Sequence, residues 1–184
     1  MLGRMTEVKI GLVRHYKVKQ EYPTGTPINA DELNEWFRTY DEAEIEEGYT
    51  DLQGIEWDEC FTSDLPRAVK TAEIIYKGPI CKMAELQEVP PPRFTMRVKL
   101  PFFAWAILIR SSMFFNSQTR EEIRQAKSRI NEVLDHAISQ EKENVLIVSH
   151  AALMMFMRKE LIKRGFKGPM FKHAENGKLY IFEK

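Results

Sequence analysis

Cysteine is scarce: the 184-residue chain holds two, Cys60 and Cys81. Two thiols cannot form a disulfide framework, and no CxxC pair or Cys/His cluster offers a zinc site. Two reduced thiols are expected, with a single bridge as the alternative. An excess charge of either sign is also lacking, because 27 Lys and Arg balance 27 Asp and Glu. That balance argues against an unspecific nucleic-acid binder, which usually carries a basic surplus. Long apolar runs are missing too. The most apolar stretch, FFAWAILI over residues 102–109, stops at Arg110, short of the ~20 residues that span a bilayer. The leading MLGRMTEVKIGLVRH has no signal-peptide core. The expectation is a soluble, cytoplasmic protein with no membrane partner. Neither an internal repeat nor a low-complexity linker interrupts the chain.

What is present is core material, at 43% hydrophobic residues. A folded chain of this mass exposes roughly 9,200 Å² against about 31,000 Å² extended, so global disorder is excluded. One domain over residues 1–184 is expected. Short apolar strands alternate with amphipathic helices, the pattern of a mainly parallel sheet covered on both faces. Residues 8–13 (VKIGLV) read as a first strand. Asn29 and Glu32 make a capping-box pattern before a helix with Leu33, Trp36, Phe37 and Tyr40 at helical spacing. Residues 59–62 (ECFT) read as a strand, followed by a helix capped at Ser63 or Asp64 with Pro66 in its first turn. A long helix over about 119–138 carries Ile123, Ala126, Ile130, Val133, Leu134 and Ala137 on one face. Residues 145–148 (VLIV) lack polar alternation, as a strand covered on both faces should. A helix over about 151–163 stops at Gly165. The tail reads as two strand pieces about a turn at Asn176–Gly177. Residues 90–118, with Pro90, Pro91 and Pro92 in a row, read as an irregular insertion.

Three segments place polar residues directly after apolar strands: Arg14–His15, SDLPRA with Arg67, and Ser149–His150. In open parallel sheets ligands bind beyond the strands' carboxyl ends, near free backbone N–H groups at helix N-termini. Two arginines and two histidines gathered there suit a dianion, since guanidinium matches phosphate oxygens and imidazole is a nucleophile or donor. Taken singly, each has a structural explanation. A histidine at a strand end is commonly a satisfied core residue, and Arg67 equally suits a surface ion pair with Asp64 or Glu73.

Together these segments resemble the histidine phosphatase superfamily, the phosphoglycerate-mutase-like family. LVRH is similar to its strand-borne Arg-His signature, and FTSDLPRAVKTAEII to its Ser-x-x-x-Arg-Ala-x-x-Thr-Ala motif. LQE, ending at Glu88, resembles the segment that carries the acid, and LIVSHAALM the segment with the second histidine. The resemblance implies an α/β fold, a three-layer αβα sandwich around a mainly parallel central sheet. It also implies a metal-independent phosphatase with no cofactor. In that mechanism His15 is the nucleophile and Glu88 the acid, with Glu85 as the alternative. Arg14, Arg67 and His150 hold the phosphoryl group. The implied partner is a small phosphorylated substrate or a phosphoprotein.

Several positions depart from the family pattern. Tyr16 and Lys17 follow His15 where glycine and a carboxylate or amide are usual. Glu21 and Tyr22 stand where asparagine is common, and Ala151 and Ala152 follow His150 in place of glycine. Tyr16, Lys17 and Ser149 are further candidate site residues. Two other readings stay open: phosphoglycerate-mutase-type transfer, and a phosphate-binding regulatory module of weak turnover. The apolar residues Phe102, Phe103, Trp105 and Ile107 suit either a core helix or an apolar lid or dimer surface.

Overall fold

The computed structural model describes residues 8–139 and 142–184. Five strands, β1 (Lys9–Arg14), β2 (Glu59–Ser63), β3 (Ile80–Met83), β4 (Asn144–Ser149) and β5 (Leu179–Glu183), form one sheet in the order β3-β2-β4-β1-β5. β5 runs antiparallel to β1 and every other pair is parallel. Five helices accompany them: α1 (Ala30–Glu42), α2 (Pro66–Ile75), α3 (Phe102–Phe115), α4 (Ser117–Ser139) and α5 (Ala151–Lys163).

The VLIV run of β4 shows how the layers arise. Val145 and Ile147 turn to a core shared with Ile130, Val133 and Leu134 of α4 and Leu153, Met154 and Met157 of α5. Leu146 and Val148 turn the other way, to Ala68 and Ala72 of α2. A strand covered on both faces gains nothing from polar alternation, so it has none. The fold is the expected mixed α/β sandwich.

Local signals set the helix ends. Asn29 Oδ1 accepts from the Glu32 amide at 2.9 Å and Glu32 Oε2 from the Asn29 amide at 2.8 Å. This reciprocal box satisfies two donors the first turn of α1 leaves free. Asn116 Oδ1 accepts from the amides of Gln118 and Thr119, starting α4 two residues before the expected Thr119. Leu65, not Ser63 or Asp64, is the N-cap of α2, with Pro66 at the first position. Gly165, at φ +89, ends α5 as expected.

Two expectations are corrected. The segment read as irregular contains α3, 14 residues long. The prolines before it and an apolar sequence without clear periodicity hid a helix packed on two sides. Trp105 is fully buried with Leu33 of α1, and Ile28 and Leu100 pair as a short bridge beside them. The tail holds one strand, β5; Asn176 makes a single parallel bridge to Arg14 instead of a hairpin. Among the described residues no helix is long and apolar enough to cross a membrane. Both cysteines are free, Cys60 buried and Cys81 exposed.

Candidate active site

The register of the central strands brings the site together. Arg14 pairs with Ser149 across β1 and β4, and the His15 amide donates to the Ser149 carbonyl at 3.0 Å. His15 and His150 therefore leave adjacent strand ends side by side, their ring centroids 5.1 Å apart. β2 ends at Ser63 on the other flank of β4, so the first turn of α2 delivers Arg67 to the same place. A cavity of about 590 Å³ opens there, lined by Arg14, His15, Arg67, Glu88 and His150 among others.

His15 is 3% exposed. Its Nδ1 lies 2.6 Å from the Tyr16 carbonyl oxygen. A carbonyl only accepts, so Nδ1 carries the proton and Nε2 is left with a lone pair. Burial, then the charges of Arg67 and Arg14, push the His15 pKa down to about 3 against a raising contribution from the Tyr16 hydrogen bond. The imidazole is neutral at ordinary pH. Burial also holds His150 well below the usual range, helped by His15, Arg67 and Arg14. Its Nε2 lies 2.9 Å from Ser63 Oγ.

The cations are anchored from outside the cluster. Arg14 donates to the Ala174 carbonyl at 3.0 Å and lies 3.4 Å from His173 Nε2. Arg67 donates to Asp41 Oδ1 at 2.6 Å, not to Asp64 or Glu73, and its guanidinium carbon sits 5.2 Å from the Tyr40 ring centroid. Arg14 Nε, Arg67 Nε and His150 Nδ1 are nonetheless buried without a hydrogen-bond partner among the described residues. Buried polar groups are nearly always paired, so three such nitrogens on residues of one cavity set this place apart.

Glu88 follows the 3-10 turn over residues 84–86 and reaches the N-terminus of α5. Its oxygens accept from the amides of Val89 and Ala152, each at 3.1 Å. Burial pushes its pKa up despite those N–H groups and the charge of Arg67. The alternative acid, Glu85, is not among the residues lining the cavity.

The three further candidates lie outside this lining. The Tyr16 ring turns away, packs over Gly48 and Gly177, and places its hydroxyl 3.1 Å from Thr50 Oγ1. Lys17 pairs with Glu46 at 2.9 Å on the surface. Ser149 is buried and donates to the Leu86 carbonyl at 3.0 Å. Glycine's place after the Arg-His pair is thus taken by a side chain stored outside the cavity.

The sequence did not single out Ser63, Asp41, Tyr40, Thr71 or Asn176 as site residues. Thr71 Oγ1 accepts from the Tyr16 amide, and Asn176 Nδ2 donates to the His15 carbonyl at 2.7 Å. Ser63 and Thr71 belong to the SDLPRAVKT motif, which was a signal for them. Asp41 and Asn176 carried none.

Comparison with known proteins bears on the fold and the family. No curated relative matches the chain. Among solved structures, the alpha-ribazole phosphatase of Shigella flexneri is similar at 17% identity and TM-score 0.54, over 95% of this chain and 89% of its own. The phosphoglycerate mutase of Bacillus anthracis is similar at 17% identity and TM-score 0.50, over 86% and 82%. The phosphoserine phosphatase of Entamoeba histolytica, solved with 3-phosphoglyceric acid, is similar at 16% identity and TM-score 0.50, over 85% and 80%. These likenesses concern the fold. The family model of the histidine phosphatase superfamily (branch 1) matches residues 41–183, from the Asp41 that holds Arg67 through the strand that closes the sheet beside β1. The chain belongs to that superfamily.

Proposed function

We propose that the chain is a phosphatase that hydrolyses a phosphomonoester through a phosphohistidine on His15. The observation that carries this reading is the neutral His15 Nε2, its lone pair free, beside buried and unpaired nitrogens of Arg14, Arg67 and His150. Nε2 attacks phosphorus in line, the P–N bond forms and the ester P–O bond breaks. The proton stays on Nδ1, donated to the Tyr16 carbonyl, which keeps the phosphorylated ring a good leaving group. Arg14 and Arg67 supply the charge, and His150 with them the donors, for the equatorial oxygens, the role a cation takes in other phosphoryl-transfer sites. Glu88, whose raised pKa keeps it protonated further up the pH scale, gives its proton to the leaving oxygen. As carboxylate it then takes a proton from water, whose oxygen displaces His15 and releases phosphate.

The test is acid-labile phosphate on His15. Brief reaction with an aryl phosphate, alkaline quench and mass spectrometry are expected to find the phosphoryl group on the peptide holding His15. Turnover is expected to survive EDTA and vanish in His15→Ala. Loss of activity in EDTA overturns the mechanism. No turnover on a broad phosphoester panel, with vanadate still raising the melting temperature, favours the binding module.

A further inference from the structure

Beyond its phosphate end the cavity is built for something apolar. Of the six aromatic side chains that line it, five form one group: Tyr22, Trp36, Phe37, Tyr40 and Phe102. They gather about Trp36, whose ring stacks with Tyr22 at 5.5 Å and meets Phe102 edge-on at 5.0 Å. Phe37 and Tyr40 each lie 5.2 Å from the same ring, and Trp36 Nε1 is fixed by the Glu21 carbonyl at 2.9 Å. Tyr40 joins this wall to the phosphate end, where Arg67 lies over its ring. The rest of the lining includes the aliphatic Val89, Ile109, Met113 and Ile123 and the three consecutive prolines. Apart from Arg14 and Arg67, the only Arg or Lys lining the cavity among the described residues is Arg110. A second anionic group on a small polar substrate finds little to bind. The cavity's volume of about 590 Å³ lies within the ~300–1,000 Å³ typical of sites that enclose a sizeable organic ligand.

We infer that the site takes phosphomonoesters of a large, ring-bearing apolar alcohol laid against Trp36, in preference to small polar ones. The inference rests on the phosphatase reading for the phosphate end alone. α1 supplies Trp36, Phe37 and Tyr40, and α3 supplies Phe102 and Met113, so the slot is formed between these two helices. This divides the apolar stretch by role: Phe102 faces the slot, Trp105 is core, and Phe103 and Ile107 are exposed.

Calorimetry with three unreactive probes tests it: (1-naphthylmethyl)phosphonate, methylphosphonate and 1-naphthylmethanol. Covering roughly 100 Å² of ring is worth on the order of 50-fold in affinity. The naphthyl phosphonate is expected to bind tighter than methylphosphonate by about that factor. Trp36→Ala, or Phe102→Ala should the first fail to fold, is expected to remove most of the preference and leave methylphosphonate affinity unchanged. Equal binding of the two phosphonates by the wild type overturns the inference while the phosphate reading stands. If 1-naphthylmethanol binds as tightly as the naphthyl phosphonate, the phosphate reading falls and the apolar slot stands. If none of the three binds, both are overturned.

Discussion

The Nδ1 atom of His15 lies 2.6 Å from the carbonyl oxygen of Tyr16, and that hydrogen bond decides which nitrogen of the imidazole keeps its lone pair. It costs the neighbouring side chain nothing, because only the Tyr16 backbone takes part. The same residue's amide is held by Thr71 Oγ1 at 2.9 Å, and Thr71 in turn donates to the Arg67 carbonyl at 2.7 Å. His15 and Arg67 are thus set by one short chain of bonds between β1 and α2. A glycine after His15 is one way to build that turn; a tyrosine that stores its ring elsewhere is another.

Acid is expected to weaken the fold through the two buried histidines. Their native pKa values lie below the ordinary 6.5, His15 at about 3. Between those limits the unfolded chain binds protons that the native one does not, so stability falls as pH falls. Each such group contributes a slope of about 1.4 kcal/mol per pH unit. Glu88 acts oppositely: its raised pKa gives stability that is full below its unfolded value and lost as pH rises through the folded one. That contribution is common to wild type and His15→Asn and cancels in their difference. Urea unfolding between about pH 6 and 4 is expected to show a shallower acid loss for His15→Asn. Parallel slopes for the two proteins count against the buried neutral His15.

Glu88→Gln is expected to lower kcat by roughly 10²- to 10⁴-fold, the usual weight of a general acid. The loss should be larger for an alkyl phosphate than for a nitrophenyl phosphate, whose leaving oxygen scarcely needs a proton. The decline of kcat/KM on the alkaline side, where Glu88 gives up its proton, should disappear. Glu85→Gln, outside the cavity lining, should leave kcat unchanged. A leaving-group effect in Glu85→Gln instead would reassign the acid.

Much of this was legible because strands at the centre of a parallel sheet advertise themselves. Apart from Lys9 near the start of the first, VKIGLV and VLIV hold no polar side chain, so the Arg-His and Ser-His that end them stand out. The segment over residues 84–88 was legible only through its Leu-Gln-Glu resemblance, since a 3-10 turn has no periodic signature. α3 was illegible for a related reason. A helix that faces α1 on one side and the cavity on another shows no single apolar stripe, and the prolines before it suggested a loop. Asp41 could not be found at all: its partner Arg67 is 26 positions away, and an acid near the end of α1 looks like any exposed carboxylate. Tyr16 and Lys17 follow His15 in sequence, yet the Tyr16 ring packs over Gly48 and Gly177 and Lys17 pairs with Glu46 at the surface, contacts that the sequence does not display.

Asp41 gives a prediction with a distinctive sign. Arg67 is 4% exposed at its side chain and Asp41 half exposed, 2.6 Å apart. Removing the carboxylate leaves a buried guanidinium short of a partner, at a cost of about 1–3 kcal/mol. It also removes the negative charge that competes with a bound dianion. Asp41→Asn should therefore melt earlier than wild type without ligand, yet gain more in melting temperature from saturating vanadate. An equal or smaller vanadate shift would mean that Asp41 orients Arg67 more than it neutralises it.

Gly177 links the tail to His15. It sits at φ +68, and a Cβ there would lie 2.5 Å from Tyr16 Cε1. Its amide donates to the Arg14 carbonyl at 2.8 Å, and Asn176 beside it holds the His15 carbonyl. Alanine must meet both the left-handed backbone, which alone costs about 1–2 kcal/mol, and the tyrosine ring. Gly177→Ala should lose at least about 2 kcal/mol of stability and bind vanadate more weakly, because Arg14 and His15 shift with the loop. Tyr16→Ala on its own empties a packed site and also destabilises. In the double variant the ring clash is gone, so the two losses should sum to more than the double variant's cost, by roughly 0.5 kcal/mol or more. Urea denaturation of the four proteins measures that coupling. Strict additivity would place the whole penalty in the backbone and remove Tyr16 from the account.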